Sequence, residues 1–286
     1  MKIKTLRIIC QSLFTAFSNG YIKGFLTGKI YTGNLKYLCS PGLNCYSCPG
    51  SLFSCPIGSL QAVLNSREYK FSLYVIGLLF MSGTVFGRLI CSFLCPFGLV
   101  QDLLYKIPFF KKIKTLPKEK YLRKIKYFIL LIFVILIPAF VFDETGTGFP
   151  SFCKYLCPQG MLEGGLILTT LNTGLKNAIG FLFYHKLAIL IFVAIFSVIV
   201  YRPFCRYFCP LGAIYGFFNR FSVYHYEIDT NSCINCGLCQ KTCKFDINIA
   251  KNPFSSDCIK CGDCVQECPK QCIKPVWRFT NKKEQK

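Results

Sequence analysis

Two stretches of the chain repeat one pattern of metal-binding residues: Arg88-Leu-Ile-Cys91-Ser-Phe-Leu-Cys95-Pro96-Phe-Gly98 and Arg202-Pro-Phe-Cys205-Arg-Tyr-Phe-Cys209-Pro210-Leu-Gly212. Both read R-x-x-C-x-x-x-C-P-x-G, and both follow long apolar runs. Together they supply four thiolates, the set a [4Fe-4S] cluster requires. Proline cannot continue a helix but suits the first position of a new one, so Cys-Pro sets the thiolate just before a helix N-terminus. The free N–H groups and positive dipole end there stabilise an anionic cluster. Arg88 and Arg202, at one offset from the cysteines, are read as cluster-supporting charges that raise the reduction potential. Anchoring by the positive-inside rule is the plainer alternative.

Near the C-terminus come Cys233-x-x-Cys236-x-x-Cys239-x-x-x-Cys243 and Cys258-x-x-Cys261-x-x-Cys264-x-x-x-Cys268-Pro269. This is the spacing of bacterial two-cluster ferredoxins, in which the fourth cysteine of each run serves the other cluster. It assigns Cys233, Cys236, Cys239 and Cys268 to one cluster and Cys258, Cys261, Cys264 and Cys243 to the other. Cys243 is followed by Lys244 rather than proline, so that cluster is expected to differ locally. Cys10 and Cys272 are read as ordinary thiols.

Six cysteines remain: Cys39, Cys45, Cys48, Cys55, Cys153 and Cys157. The C-P-x-G element recurs at Cys55-Pro-Ile-Gly58 and Cys157-Pro-Gln-Gly160, which predicts a further, outer cluster; disulfides on an oxidising face are the alternative. Its ligands stay open. Cys55 and Cys157 share the motif and Cys48 with Cys153 would complete a set. Lys36-Tyr-Leu-Cys39 echoes Lys154-Tyr-Leu-Cys157, which favours Cys39 instead, and Cys39, Cys45, Cys48 and Cys55 could also form a site alone.

The elements that position these residues are membrane helices. Of 286 residues 52% are hydrophobic, including 29 Phe, and mean hydropathy is +0.41, too apolar for a soluble globule. Spans are expected at residues 6–28, 71–90, 126–142 (kinked at Pro138) and 181–201. The first is read as retained, since no small-residue cleavage site follows it. The net charge of +21 could indicate nucleic acid, but nine Lys/Arg between Lys106 and Lys126 against Glu119 alone mark a cytoplasmic loop. Asp143 to Pro150 is a polar exit on the outer side, and 166–180 an interfacial helix. The chain is thus mainly α: about four membrane spans in two parallel repeats with re-entrant Cys-Pro turns (1–222), then a small α+β two-cluster domain (223–286). Dense cysteine with 2 His in such a chain argues against zinc and disulfide scaffolds.

The C-terminal region resembles bacterial two-cluster ferredoxins over about residues 224–275. With the paired motifs at Cys91/Cys95 and Cys205/Cys209, the whole chain resembles the membrane polyferredoxins of the periplasmic nitrate reductase, nitrous-oxide reductase and cytochrome oxidase maturation systems. The resemblance implies electron transfer in the cytoplasmic membrane with the ferredoxin domain in the cytoplasm. Four [4Fe-4S] clusters would pass electrons from a ferredoxin-type donor to an outer flavin or haem protein. Quinol oxidation and metal reduction during maturation of a respiratory enzyme are the alternatives. No dinucleotide fingerprint, P-loop or paired catalytic carboxylate is present in context, and no substrate site is visible. His185 is read as interfacial, with quinone contact as a lesser option. His225 offers it no partner for haem, and Trp277 and Lys282-Lys283 read as packing and a solvated tail.

Overall fold

The computed structural model describes residues 3–64, 70–141 and 149–278. The polar exit therefore lies largely outside the described residues, as do Lys282 and Lys283. Helices dominate, and one two-stranded antiparallel sheet pairs β1 (Tyr224–Ile228) with β2 (Ile273–Trp277), Tyr224 opposite Trp277 and Ile228 opposite Ile273.

The four apolar segments fold as helices of unequal length. Phe181–Ile199 runs unbroken, and among the described residues it alone is long and apolar enough to cross a membrane, with mean hydropathy 2.3. Lys70–Phe86 stops where Gly87 takes φ +57°, a left-handed turn that reverses the chain into Leu89–Phe93. The first segment is not one helix: Ile3–Ser18 ends, and a short Ile22–Thr27 follows. In the third, a π-helical stretch at Leu130–Leu136 directly precedes Ile137–Phe140, so the turn before Pro138 is widened where the ring displaces a backbone hydrogen bond. The expected interfacial segment is two short helices, Leu166–Leu171 and Thr173–Asn177.

All four Cys-Pro steps share one local structure. Cys55, Cys95, Cys157 and Cys209 are extended, with ψ between 110° and 128°, and a helix starts at the proline that follows. The ring of proline excludes the residue before it from helical geometry, so the thiol is left facing the new helix end. These turns gather in one core with Leu43, Ile57, Phe97, Phe152, Phe204, Leu211 and Tyr215. The C-terminal region has its own internal repeat. Asn235 and Lys260, Gly237 and Gly262, and Asp246 and Gln271 occupy equivalent positions of the two cysteine runs, and all six have positive φ.

Candidate iron–sulfur sites

In the C-terminal region the two cysteine runs line two adjoining cavities. One is lined by Cys233, Cys236, Cys239, Cys268 and Cys272, and the other by Cys243, Cys258, Cys261 and Cys264, with Cys239 shared between them. The fourth cysteine of each run thus faces the three of the other run. The first cavity opens outward at the exposed Cys236, whereas the second is walled by Tyr201, Phe245 and Asp263. Lys244, in the place of the usual proline, pairs with Asp263 at 3.2 Å and lies over the Tyr201 ring at 4.7 Å. Cys272 is not remote: it lines the first cavity, with its Sγ 3.3 Å from that of Cys268. Cys10 lines neither.

The inner site is built by reciprocity between the two halves of the N-terminal helical region. Cys91, Cys95, Cys205 and Cys209 are all buried, and Cys209 feels the charges of the other three. Arg88 Nη2 donates to the Cys205 carbonyl at 3.0 Å, and Arg202 Nη1 donates to the Cys91 carbonyl at 2.6 Å. Each arginine thereby clasps the first cysteine of the opposite half. The glycine of each C-P-x-G leaves room for that clasp: a Cβ on Gly98 would stand 3.1 Å from Arg202 Nη1, and one on Gly212 3.3 Å from Arg88 Nη2. Arg202 itself has φ +48°, a left-handed conformation that Arg88, with φ −76°, does not share. Asp102 takes Arg202 bidentately, at 2.7 and 2.6 Å, and Arg7 at 3.6 Å.

The outer site has the same plan and different charges. A Cβ on Gly160 would stand 3.8 Å from Cys45 Sγ and one on Gly58 3.7 Å from Cys153 Sγ, which sets Cys45 beside the Cys157 turn and Cys153 beside the Cys55 turn. Cys39 instead hydrogen-bonds Ser59 Oγ at 3.4 Å, and the groups that act most strongly on Cys48 are Glu163, the Gly50 and Ser51 amides and Lys36. Lys186 Nζ donates to the Cys153 carbonyl at 3.2 Å and would lie 3.5 Å from a Cβ on Gly160, the relations Arg88 has to Cys205 and Gly212. Glu163 accepts from the Cys45 amide at 2.9 Å, and burial pushes its carboxyl up to about 7.

At all four Cys-Pro turns the glycine amide of C-P-x-G points at the sulfur of its own cysteine. Thiols that converge on N–H groups and cations form a donor set for an anionic cluster.

The sites adjoin one another. Arg88, which clasps Cys205, also donates to Ser256 at 3.2 Å and pairs with Asp257, while Asn219 Nδ2 donates to Ser255 and to Cys258 at 2.7 and 2.9 Å. Asp257 also pairs with Arg123 and Lys126; burial raises its carboxyl, and these cations more than offset that, to about 2. Toward the outer site, the Leu43 amide reaches Cys95 and Tyr215 Oη donates to the Pro41 carbonyl at 2.8 Å, two and four residues before Cys45. Gly42 permits this approach, since a Cβ there would meet the Leu94 carbonyl at 2.7 Å.

Several of these residues were not singled out by the sequence reading. Arg7, buried between Asp102 and Asp263, looked like a start-of-span charge. Arg123 and Lys126 looked like loop charges. Gln61 and Gln101 carried a signal that spacing alone shows: both stand six residues after the cysteine of C-P-x-G. His185 stacks on Phe181, His225 packs against Phe254, and Trp277 packs against Phe86 and Tyr224.

Comparison with known proteins agrees with the geometry. The family described as 4Fe-4S binding domain matches residues 71–117, 126–168 and 182–226, and the 4Fe-4S dicluster domain matches 225–270. The uncharacterized protein MJ0750 of Methanocaldococcus jannaschii is 31% identical over 68% of this chain and 74% of its own length. The methylamine utilization ferredoxin-type protein MauN of Paracoccus denitrificans is 30% identical over 66% of this chain and 60% of its own. The ferredoxin-type protein NapH of Haemophilus influenzae is 25% identical over 77% and 74%. The chain thus spans between 60% and 74% of the length of these relatives. No solved structure matches it. With two cysteine runs crossed around paired cavities and [4Fe-4S] domains matched along both regions, the chain belongs to the polyferredoxin family of iron–sulfur electron-transfer proteins related to NapH and MauN.

Proposed function

We propose that the chain is a multi-pass protein of the cytoplasmic membrane that carries electrons through four [4Fe-4S] clusters. They would run from a cytoplasmic ferredoxin-type donor to a redox acceptor, a flavin or haem protein, at the outer face. One observation carries the reading: the four-cysteine sites form a single succession. The cavity at Cys236 adjoins the one at Cys258, Arg88 and Asn219 join that to the inner site, and the Pro41–Cys45 segment joins the inner site to the outer one. A cluster, when bound, holds and releases one electron at a time.

The ligand sets follow from the same positions: Cys233, Cys236, Cys239 and Cys268; Cys258, Cys261, Cys264 and Cys243; Cys91, Cys95, Cys205 and Cys209; and Cys45, Cys55, Cys153 and Cys157. Arg88 and Arg202 fix the backbone around the inner cluster and supply positive charge to it. The test uses sealed vesicles with the C-terminal region inside, a low-potential reductant inside and a membrane-impermeant acceptor outside. Acceptor reduction that depends on the protein is expected; no flux from vesicles whose iron matches four clusters would refute the relay.

A further inference from the structure

Gln61 and Gln101 stand in sites of different charge and make the same three contacts. Gln101 Nε2 donates to the Phe97 carbonyl at 3.3 Å and to Cys205 Sγ at 3.1 Å, while its Oε1 accepts from the Phe204 amide at 3.2 Å. Gln61 Nε2 donates to the Ile57 carbonyl at 3.1 Å and to Cys153 Sγ at 3.2 Å, and its Oε1 accepts from the Phe152 amide at 3.0 Å. Both side chains are fully buried. In the second half, the equivalent positions after Cys157 and Cys209 are Glu163 and Tyr215, which bond Cys45 N and Pro41 O instead. The amide-to-sulfur contact is therefore made once per membrane site, always from the first half to the first cysteine of the second.

We propose that Gln61 and Gln101 are positioning residues that each donate one N–H to a cluster thiolate, Cys153 and Cys205 respectively, and thereby raise the reduction potential of that cluster. The inference rests on the membrane clusters of the proposed function. A buried primary amide is costly unless its donors and acceptor are all used, and here both are. Bonds to Phe97 and Phe204, or to Ile57 and Phe152, would suffice to pack a glutamine. They leave one N–H free, and in two sites with different charges that hydrogen reaches the same sulfur. Reduction adds negative charge to a cluster, so a donor on a ligand sulfur favours the reduced state and its loss favours the oxidised one.

The test is an EPR-monitored redox titration of the full chain in detergent, with iron quantified, for Gln101→Met and Gln61→Met. Gln101→Met is expected to shift the oxidised-to-reduced ratio of the inner cluster about tenfold toward oxidised at fixed potential, about 59 mV for one electron, and to leave the other clusters in place. Gln61→Met does the same to the outer cluster alone. Should either variant lose its cluster, the unmodified protein with glutamine side chains labelled by 15N decides. A 15N coupling to both reduced membrane clusters by pulsed EPR is expected, and its absence overturns the proposal. Four clusters with unmoved potentials in both variants overturn it while leaving the relay intact. Iron for only two clusters in the unmodified chain overturns relay and glutamine role together.

Discussion

At the inner site two fully buried arginines reach across the halves, and both are neutralised by carboxylates: Arg202 by Asp102, Arg88 by Asp257. At the outer site the corresponding cations are lysines: Lys186 donates to the Cys153 carbonyl, Lys36 donates to the Ser51 carbonyl at 2.8 Å and lies 4.7 Å over the Tyr46 ring, and the acid, Glu163, faces a backbone amide. The cysteine scaffold is the same, so the C-P-x-G turns and the glutamines account for what the sites share. Their difference comes from what packs around them. The inner site is closed by the first helix and the C-terminal region, through Arg7, Asp102 and Asp257, and its charges form a network that one substitution would unbalance. The outer site has single bonds from flexible side chains, one of them half-exposed.

The largest expected effect falls on the outer ligands. Cys45→Ser should remove the iron of one cluster and abolish outward electron flux, whereas Cys39→Ser and Cys48→Ser should leave both unchanged. Iron content with EPR of the reduced protein reads the difference. Retained iron in Cys45→Ser together with lost iron in Cys48→Ser would move the ligand to Cys48.

Next comes stability. Arg202→Leu leaves Asp102 buried with only Arg7, at 3.6 Å, to answer it. Breaking a buried pair from one side costs about 3–5 kcal/mol, and the remaining arginine puts this case near the lower end, about 3 kcal/mol. Thermal unfolding in detergent should show the loss even in protein stripped of iron. A variant as stable as the parent would mean that the bidentate pair contributes nothing net.

The cysteine runs were legible because cluster chemistry fixes their spacing, three cysteines at intervals of three and a fourth four residues on, and a 4Fe-4S dicluster domain matches the stretch that carries them. The helix starts after Cys55, Cys95, Cys157 and Cys209 were legible because proline dictates them. The position of Cys45 was not, since Glu163, 118 residues away in sequence, ties its amide. The clamp at Asp257 was hidden for a similar reason. Lys126 and Arg123 follow the pattern of a solvated basic loop, and only their tertiary partner reveals them as buried counter-charges. The first segment read as one span despite Asn19, Gly20 and Lys23, and its helix is interrupted at that polar step, between Ser18 and Ile22.

The smallest effect sharpens the comparison most. Lys186→Met removes a cation from the outer site and nothing else there, because its Nζ bonds only a neutral carbonyl. Such a bond is worth about 1 kcal/mol, so stability should fall by no more than that. The loss of positive charge beside an anionic cluster should lower the outer potential by on the order of 1 kcal/mol, screened because the side chain is half-exposed, and leave the inner cluster unmoved. A redox titration of the variant reads both clusters at once. A stability loss as large as that of Arg202→Leu would show the two sites to be equally braced. An unmoved outer potential would show that Lys186 holds backbone rather than charge, and that the sites differ in architecture more than in electrostatics.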